Sequence, residues 1–290
     1  MSITLLSFLT MGGIGLLFAI ILLLAYKKLA VEEDPRIKEI EAVLPGANCG
    51  ACGYPGCSAY AEAIVKEGAP IDKCGPGGAD VVEKIAKILG VEGVEVGEKK
   101  VAQVMCQGTN EAALKRAIYH GINSCRAAHF TLGGDKECYW GCLGLGDCVA
   151  ACPFDAIHMT DKGIPLVDRD KCTGCGLCVE ACPRDIIELV PISQKVFVLC
   201  KNQDKGANAR KYCDYACIAC RLCVRNAPEG SMEIRNNLAV ILDHGPVDEN
   251  SEKVIAKCPT KSILKLVDDE GVFHVPPALE GAKLVPLKRD

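Results

Sequence analysis

The stretch Cys172–Pro183, CTGCGLCVEACP, decides how this chain is read. Three cysteines stand with two residues between neighbours, and a fourth follows after three more, with proline behind it. Thiolates at that spacing hold [4Fe–4S] clusters in pairs: the first three bind one cluster, and the cysteine before proline reaches across to a second. A pair needs a second run, and one lies upstream as Cys138-x3-Cys142-x5-Cys148-x3-Cys152-Pro153. Its early intervals are stretched, but its CP end is intact. The exchange rule assigns Cys152, Cys172, Cys175 and Cys178 to one cluster, and Cys138, Cys142, Cys148 and Cys182 to the other.

Both runs end alike, in CPFDAI (Cys152–Ile157) and CPRDII (Cys182–Ile187), and the repeat returns as CPTKSI (Cys258–Ile263). Before that third copy stands CIACRLC, Cys217–Cys223, with Ala227 where its own fourth cysteine belongs. Under the exchange rule Cys217, Cys220 and Cys223 take Cys258 and never use position 227. The partner cluster would have needed positions 227, 248, 251 and 254, which hold Ala227, Asp248, Ser251 and Val254. All four ligands are gone together, so this second module is expected to hold one cluster.

Nearer the N-terminus lies NCGACGYPGC, with the spacing Cys49-x2-Cys52-x4-Cys57-x16-Cys74. Glycines beside these cysteines allow the tight turns that aim several thiolates at one small cluster. Ser58–Lys66 and Ala79–Leu89 read as short helices around the loop. Zinc is the alternative occupant, although zinc more often takes two separated CxxC pairs. Cys106, Cys125, Cys200 and Cys213 are left over. They form two pairs with related surroundings, VMCQG and VLCKN, each placed before a module. A fifth [4Fe–4S] cluster is expected from these four; four buried free thiols are the alternative.

Twenty cysteines in 290 residues, with 5% aromatic residues, indicate a chain whose small units are held by something other than rings. The net charge of −4 and the scattered basic residues give no nucleic-acid footprint. Ile3–Tyr26 carries no charge and is long enough to cross a hydrocarbon core of about 30 Å as a helix. No basic residue precedes it and no small-x-small cleavage site follows, so it reads as a retained anchor. Lys27 and Lys28 come directly after it, which places the rest of the chain on the cytoplasmic side, as a single-pass protein. A reducing compartment argues against a disulfide framework. His120, His129, His158, His244 and His274 show no metal spacing, and neither a Walker loop nor a GxGxxG turn marks a nucleotide or flavin site.

The expected fold class is α+β. A transmembrane anchor (1–28) leads to a small helical four-cysteine domain (29–89) and a Gly- and Glu-rich linker (90–99). A two-cluster ferredoxin-like module (100–190) and a second module with one cluster lost (191–267) follow, then an extended tail (268–290). Each CP-x-x-x-I is expected to begin a short helical turn, and Val196–Leu199 and Leu238–Leu242 read as strands. Asp34-Pro35 marks a helix start. Without clusters these small modules are expected to be largely unfolded.

The anchor, the NCGACGYPGC unit with Cys74, the CYWGCLGLGDCVAACPFDAI stretch from Cys138 and CTGCGLCVEACP occur in an order that resembles the family of Rnf-complex B subunits. Rnf complexes are ion-translocating ferredoxin:NAD⁺ oxidoreductases of bacterial membranes. The resemblance covers nearly the whole chain and departs from the longer members at positions 227, 248, 251 and 254. It implies sibling membrane and flavoprotein subunits, coupling of electron flow to Na⁺ or H⁺ translocation, and electrons arriving from soluble reduced ferredoxin. Lys205, Arg210, Lys211, Arg221 and Arg225 gather near Cys217–Cys223 and offer a docking patch for an acidic protein; a solvated basic face is the alternative. Two other readings stay open here: an electron-transfer subunit of another membrane redox complex, such as a hydrogenase or a quinone-linked dehydrogenase, and an iron–sulfur sensor.

Overall fold

The computed structural model of the chain describes residues 3–29, 34–91 and 97–287. The expected linker at 90–99 therefore lies partly outside the described residues, as do the ends of the expected anchor and tail. Helix α1 (Ile3–Leu29) includes a span, Thr10–Lys28, of mean hydropathy 1.9 with no part buried against the rest of the chain. Phe8, Leu16 and Leu22 stand exposed on it, and Lys27 and Lys28 close its last turn. A helix apolar all round belongs in a membrane rather than in water.

The small helical unit is built from α2 (Pro35–Val43), α3 (Cys57–Glu67) and α4 (Gly78–Leu89). The Asp34 side chain caps α2 by accepting from the Arg36 amide, with Pro35 at the first helical position. Gly68 and Gly90, both left-handed, end α3 and α4. Ile37 and Ile40 of α2 pack on Tyr60, Ile64 and Ile85, giving the unit its own core.

The rest is one strand arrangement used twice. In the first module β1 (Lys100–Val104) pairs antiparallel with β4 (Ile187–Pro191), and β2 (Ile157–Thr160) forms a hairpin with β3 (Pro165–Val167). In the second, β5 (Val196–Val198) pairs with β8 (Ile263–Lys265), and β6 (Met232–Arg235) forms a hairpin with β7 (Leu238–Ile241). The strands expected at 196–199 and 238–242 are present, each one residue shorter.

The expected helical turn after each CP is not there. Instead the short helices α6 (Asp147–Ala150), α7 (Leu177–Ala181) and α11 (Ser251–Ala256) precede the CP, and α9 (Leu222–Asn226) precedes the Ala227-Pro228 copy. Proline pushes the residue before it out of helical backbone. Asp155, Asp185 and Lys261 then adopt positive φ, which a right-handed helix does not accept. The chain leaves that turn directly as a strand, at Ile157, Ile187 and Ile263. Met232 occupies the same place after Pro228. The remaining helices are α5 (Cys125–Phe130), α8 (Gly206–Tyr212) and α10 (His244–Glu249).

The two modules share a core: Val101, Ile187 and Val190 pack with Phe197, Leu199 and Leu266. Arg169 lies between the Phe197 and Phe273 rings, at 5.7 and 5.6 Å from their centroids. The tail, expected to be extended, folds back. Leu279 is buried in a 3₁₀ turn, Pro277–Leu279, and β9 (Leu284–Val285) pairs with the free edge of β2. Ala278 and Leu279, both buried, gain more from this packing than an extended tail would.

Candidate cluster-binding sites

The second module brings Cys217, Cys220, Cys223 and Cys258 together as its spacing implied. Burial, and then the charges of Cys217, Cys220 and Cys258, push the Cys223 thiol up to about 11. Cys258 goes the other way. Burial works to raise it, but the Ser262 hydroxyl, the amides of Ile263 and Ser262, and Thr260 hold it below the ordinary thiol value. The CP turn thus surrounds its cysteine with donors, which favours a thiolate. Cys220 is exposed, so this group reaches the surface. Lys205, Arg210, Lys211, Arg221 and Arg225, near it in sequence, are all exposed, and none joins an ion pair among the described residues.

The positions emptied of cysteine are filled differently. Val254 is 0% exposed and packs with Val247, Met232 and Ile263, with Ala227 against the same core. Both Asp248 carboxylate oxygens are engaged: Oδ1 accepts from the Val196 amide at 2.7 Å and Oδ2 from the Lys195 amide at 3.1 Å. Apolar packing and a carboxylate cap on β5 stand where a cluster would have stood.

Cys152, Cys172, Cys175 and Cys178 line one cavity, again as the exchange rule required. The Ala102 amide on β1 donates to Cys172 Sγ at 3.3 Å. Cys49, Cys52, Cys57 and Cys74 also meet: burial, and then the charges of the other three, raise the Cys74 thiol. Asn48 shapes that loop, accepting from the Cys57 amide at 2.8 Å. These two sites touch. A Cβ built on Gly75, next to Cys74, would stand 3.1 Å from Gly174 O and 3.4 Å from Cys175 Cα, so a side chain here would push the loops apart by a few tenths of an ångström. Burial, Cys152 and then Cys49 push Cys175 up, which places thiols of both loops within electrostatic reach.

The other eight cysteines fall into two groups that the spacing did not give. One cavity is walled by Cys125, Cys142, Cys148 and Cys182, and another by Cys106, Cys138, Cys200 and Cys213. Cys138 is therefore not with Cys142, Cys148 and Cys182, and Cys125 is not with Cys106, Cys200 and Cys213; the two exchange places. The reason is Leu145. Cys142-x2-Leu145-x2-Cys148 has the same intervals as Cys217-x2-Cys220-x2-Cys223, with leucine in the middle position. Cys125, at the start of α5, brings its thiol to the amides of Asp147 and Leu145 and stands in for the missing side chain. The signal was in the sequence: Cys138-x3-Cys142 repeats the interval Cys213-x3-Cys217, which marks Cys138 and Cys213 as equivalents rather than as parts of the CP runs.

The residues present fit [4Fe–4S] clusters. Each of the five groups supplies four cysteines, the donor set such clusters take. Among the described residues no three Cys, His, Asp or Glu side chains close to single-ion spacing; the thiols ring cavities instead. Arg184, 7% exposed, lines the Cys125 cavity with Nε and Nη1 unpartnered. Its remaining nitrogen donates to Gly133 O at 2.5 Å, and its plane lies over the Tyr139 ring at 4.4 Å. Buried donors without acceptors are costly, and the sulfurs of an anionic cluster are acceptors.

Residues 44–76 match the family described as "Putative Fe-S cluster", and residues 139–189 match the family "4Fe-4S dicluster domain". Over 253 residues the chain is 49% identical to the B subunit of the Na(+)-translocating ferredoxin:NAD(+) oxidoreductase complex of Acetobacterium woodii, covering 87% of this chain and 75% of that one. It is 40% identical over 259 residues to the B subunit of the ion-translocating oxidoreductase complex of Methanosarcina acetivorans, covering 87% and 95%. It is 41% identical over 255 residues to the B subunit of the proton-translocating ferredoxin:NAD(+) oxidoreductase complex of Clostridium ljungdahlii, covering 88% and 89%.

Proposed function

The chain belongs to the family of B subunits of Rnf-type ion-translocating oxidoreductase complexes, and from that premise we propose that it takes electrons from reduced ferredoxin and passes them toward membrane partners. It is an electron-transfer subunit of an oxidoreductase complex, with [4Fe–4S] clusters as its cofactors. Five ligand sets would hold them: Cys49, Cys52, Cys57 and Cys74; Cys152, Cys172, Cys175 and Cys178; Cys125, Cys142, Cys148 and Cys182; Cys217, Cys220, Cys223 and Cys258; and Cys106, Cys138, Cys200 and Cys213. When bound, these clusters supply one-electron carriers whose potentials depend on charge, hydrogen bonds to sulfur and exposure.

The chain's own residues do the placing. The observation that carries the reading is the close approach of Gly75 to Gly174, where the site nearest the anchor meets the first ferredoxin-like module. In the second module exposed Cys220 lies in the same stretch of chain as the five exposed, unpaired basic side chains. That surface is complementary to a soluble ferredoxin, a class of protein that is usually acidic, and charge complementarity speeds such encounters. Helix α1 crosses the membrane once, with the cluster domains on the cytoplasmic side where Lys27 and Lys28 stand. Sibling membrane subunits and flavoproteins receive the electrons and couple their flow to Na⁺ or H⁺.

Stopped-flow reduction of the anaerobic full chain by reduced ferredoxin tests this. Rapid bleaching of cluster absorbance is expected. Charge reversal at Lys205, Arg210 and Lys211 should slow it by about tenfold at low salt and flatten its salt dependence. No reduction by ferredoxin would overturn the reading; an unchanged salt dependence would remove the docking face.

A further inference from the structure

We propose that the segment between Cys106 and Cys138 forms a lobe that dips into the surface of an anionic lipid bilayer, giving the first module a membrane contact of its own beside α1. The proposal rests on the anchor reading given above and goes beyond it.

The lobe has no counterpart in the second module. Between Cys106 and Cys138 stand 31 residues, against 12 between their equivalents Cys200 and Cys213. The added length does not bury its apolar side chains. Ile118, Ile122, Phe130 and Leu132 are 81, 77, 80 and 89% exposed, more than any other large apolar residue outside α1 among the described residues. Single exposed apolar residues are ordinary on a protein surface, but four in one short segment mark a contact site. Leu132 adds a second sign. Its φ is +55°, a backbone conformation that strains leucine and suits glycine or asparagine. A leucine kept there gains almost no packing within this chain.

The backbone beneath these side chains is pinned at several points. The Arg116 amide donates to Asp135 O at 2.8 Å, and the Arg116 guanidinium donates to Leu132 O and, at 3.4 Å, to Gly134 O. Tyr119 Oη donates to Ile122 O at 3.0 Å. At the start of α5, Asp147 accepts from Ser124 Oγ at 3.0 Å and from the Arg126 amide at 2.9 Å. A lobe fixed in this way holds its apolar tips outward as a built surface, which is unfavourable in water alone.

Charge selects the occupant. The chain carries 37 acidic residues, yet none falls in the 23 positions from Ala112 to Gly134. Lys115, Arg116, His120, Arg126 and His129 all do. Lys115 pairs with Asp135 at 3.1 Å. Arg116 and Arg126 are exposed and join no ion pair among the described residues. Large apolar tips beside unpaired cations match an anionic lipid surface: the tips enter the acyl boundary while the guanidiniums meet headgroup phosphates. Under the anchor reading α1 already holds the chain at such a surface, so the contact forms within one molecule at high effective concentration. Helix α5 carries both Cys125 and Phe130. A docked lobe therefore sets the Cys125 ligand set beside the bilayer.

Hydrogen exchange over residues 112–134 tests the proposal, on the anaerobic full chain in nanodiscs of phosphatidylcholine alone or mixed equally with phosphatidylglycerol. The anionic lipid should slow exchange there at low salt, and high salt should reverse the difference. Arg126→Glu, a change of two charges, should weaken the contact about 30-fold. Leu132→Asn, on a backbone that suits asparagine, should remove the protection while iron per chain stays at the wild-type value. Phe130→p-benzoylphenylalanine, irradiated in membranes holding the assembled complex, should yield lipid adducts. Equal exchange in both lipids, or an adduct to a protein subunit or to ferredoxin, would overturn the proposal and leave reduction of the chain by ferredoxin untouched. A chain that does not enter the discs overturns the anchor reading and this proposal with it.

Discussion

Asp248 occupies a position where the repeat would have a cluster ligand, and a carboxylate is a capable metal ligand in its own right. Its geometry assigns it a different task. The side chain is 11% exposed, and both oxygens accept backbone amides at the start of β5. Asp248→Ala would leave the Lys195 and Val196 amides without acceptors. A hydrogen bond to a charged group contributes about 1.5–3 kcal/mol, and the lower end suits a partly solvated pair. Two such bonds come to about 3 kcal/mol, a change of roughly 100-fold in a local opening equilibrium. Hydrogen exchange followed by mass spectrometry on the intact holo-protein reads that change at the peptide spanning β5. Iron content is measured on the same sample and is expected to stay at the wild-type value. Acceleration of less than about threefold would refute the cap. Loss of about four irons would refute the claim that this position no longer serves a cluster.

Gly75→Val should keep its iron yet separate the anchor-side loop from the Gly174 loop, because its Cβ would start 3.1 Å from Gly174 O; ferredoxin should then still bleach the modules while the Cys49 set fills more slowly, which freeze-quench EPR resolves. Arg184→Leu removes a buried cation whose unpartnered Nε and Nη1 line the Cys125 cavity, so a redox titration should find one cluster shifted to lower potential with iron retained. Leu279→Ala, at a residue buried against the first module, should cost about 2–5 kcal/mol and release the tail to limited proteolysis.

Much of this architecture can be read from the chain, and the exceptions have physical causes. The CP repeats carry their own geometry: a proline and, in three of the copies, a positive-φ residue between helix and strand. Hence Ile157, Ile187 and Ile263 begin strands. Reading those turns as helical missed that proline restrains the residue before it. The Cys125–Cys138 exchange followed from treating Cys138-x3-Cys142 as a stretched ligand run, although the match with Cys213-x3-Cys217 was available. Cys125 itself carries no local spacing signal, since α5 delivers it to Leu145 from twenty residues away. The pairing of β9 with β2 depends on an edge left open by a short hairpin, a long-range condition that composition does not show. Arg184 looks in sequence like any surface cation; only the structure reveals it as buried with two unpartnered nitrogens.

The most direct test of a cluster path through this chain is anomalous diffraction at the iron edge, on crystals grown without oxygen. Five separate four-iron peaks are predicted, one each at the Cys217, Cys106, Cys142, Cys172 and Cys49 sets. No peak is expected among Ala227, Asp248, Ser251 and Val254. A map with iron at that emptied position, or with none at the proposed cysteine sets, would contradict the account.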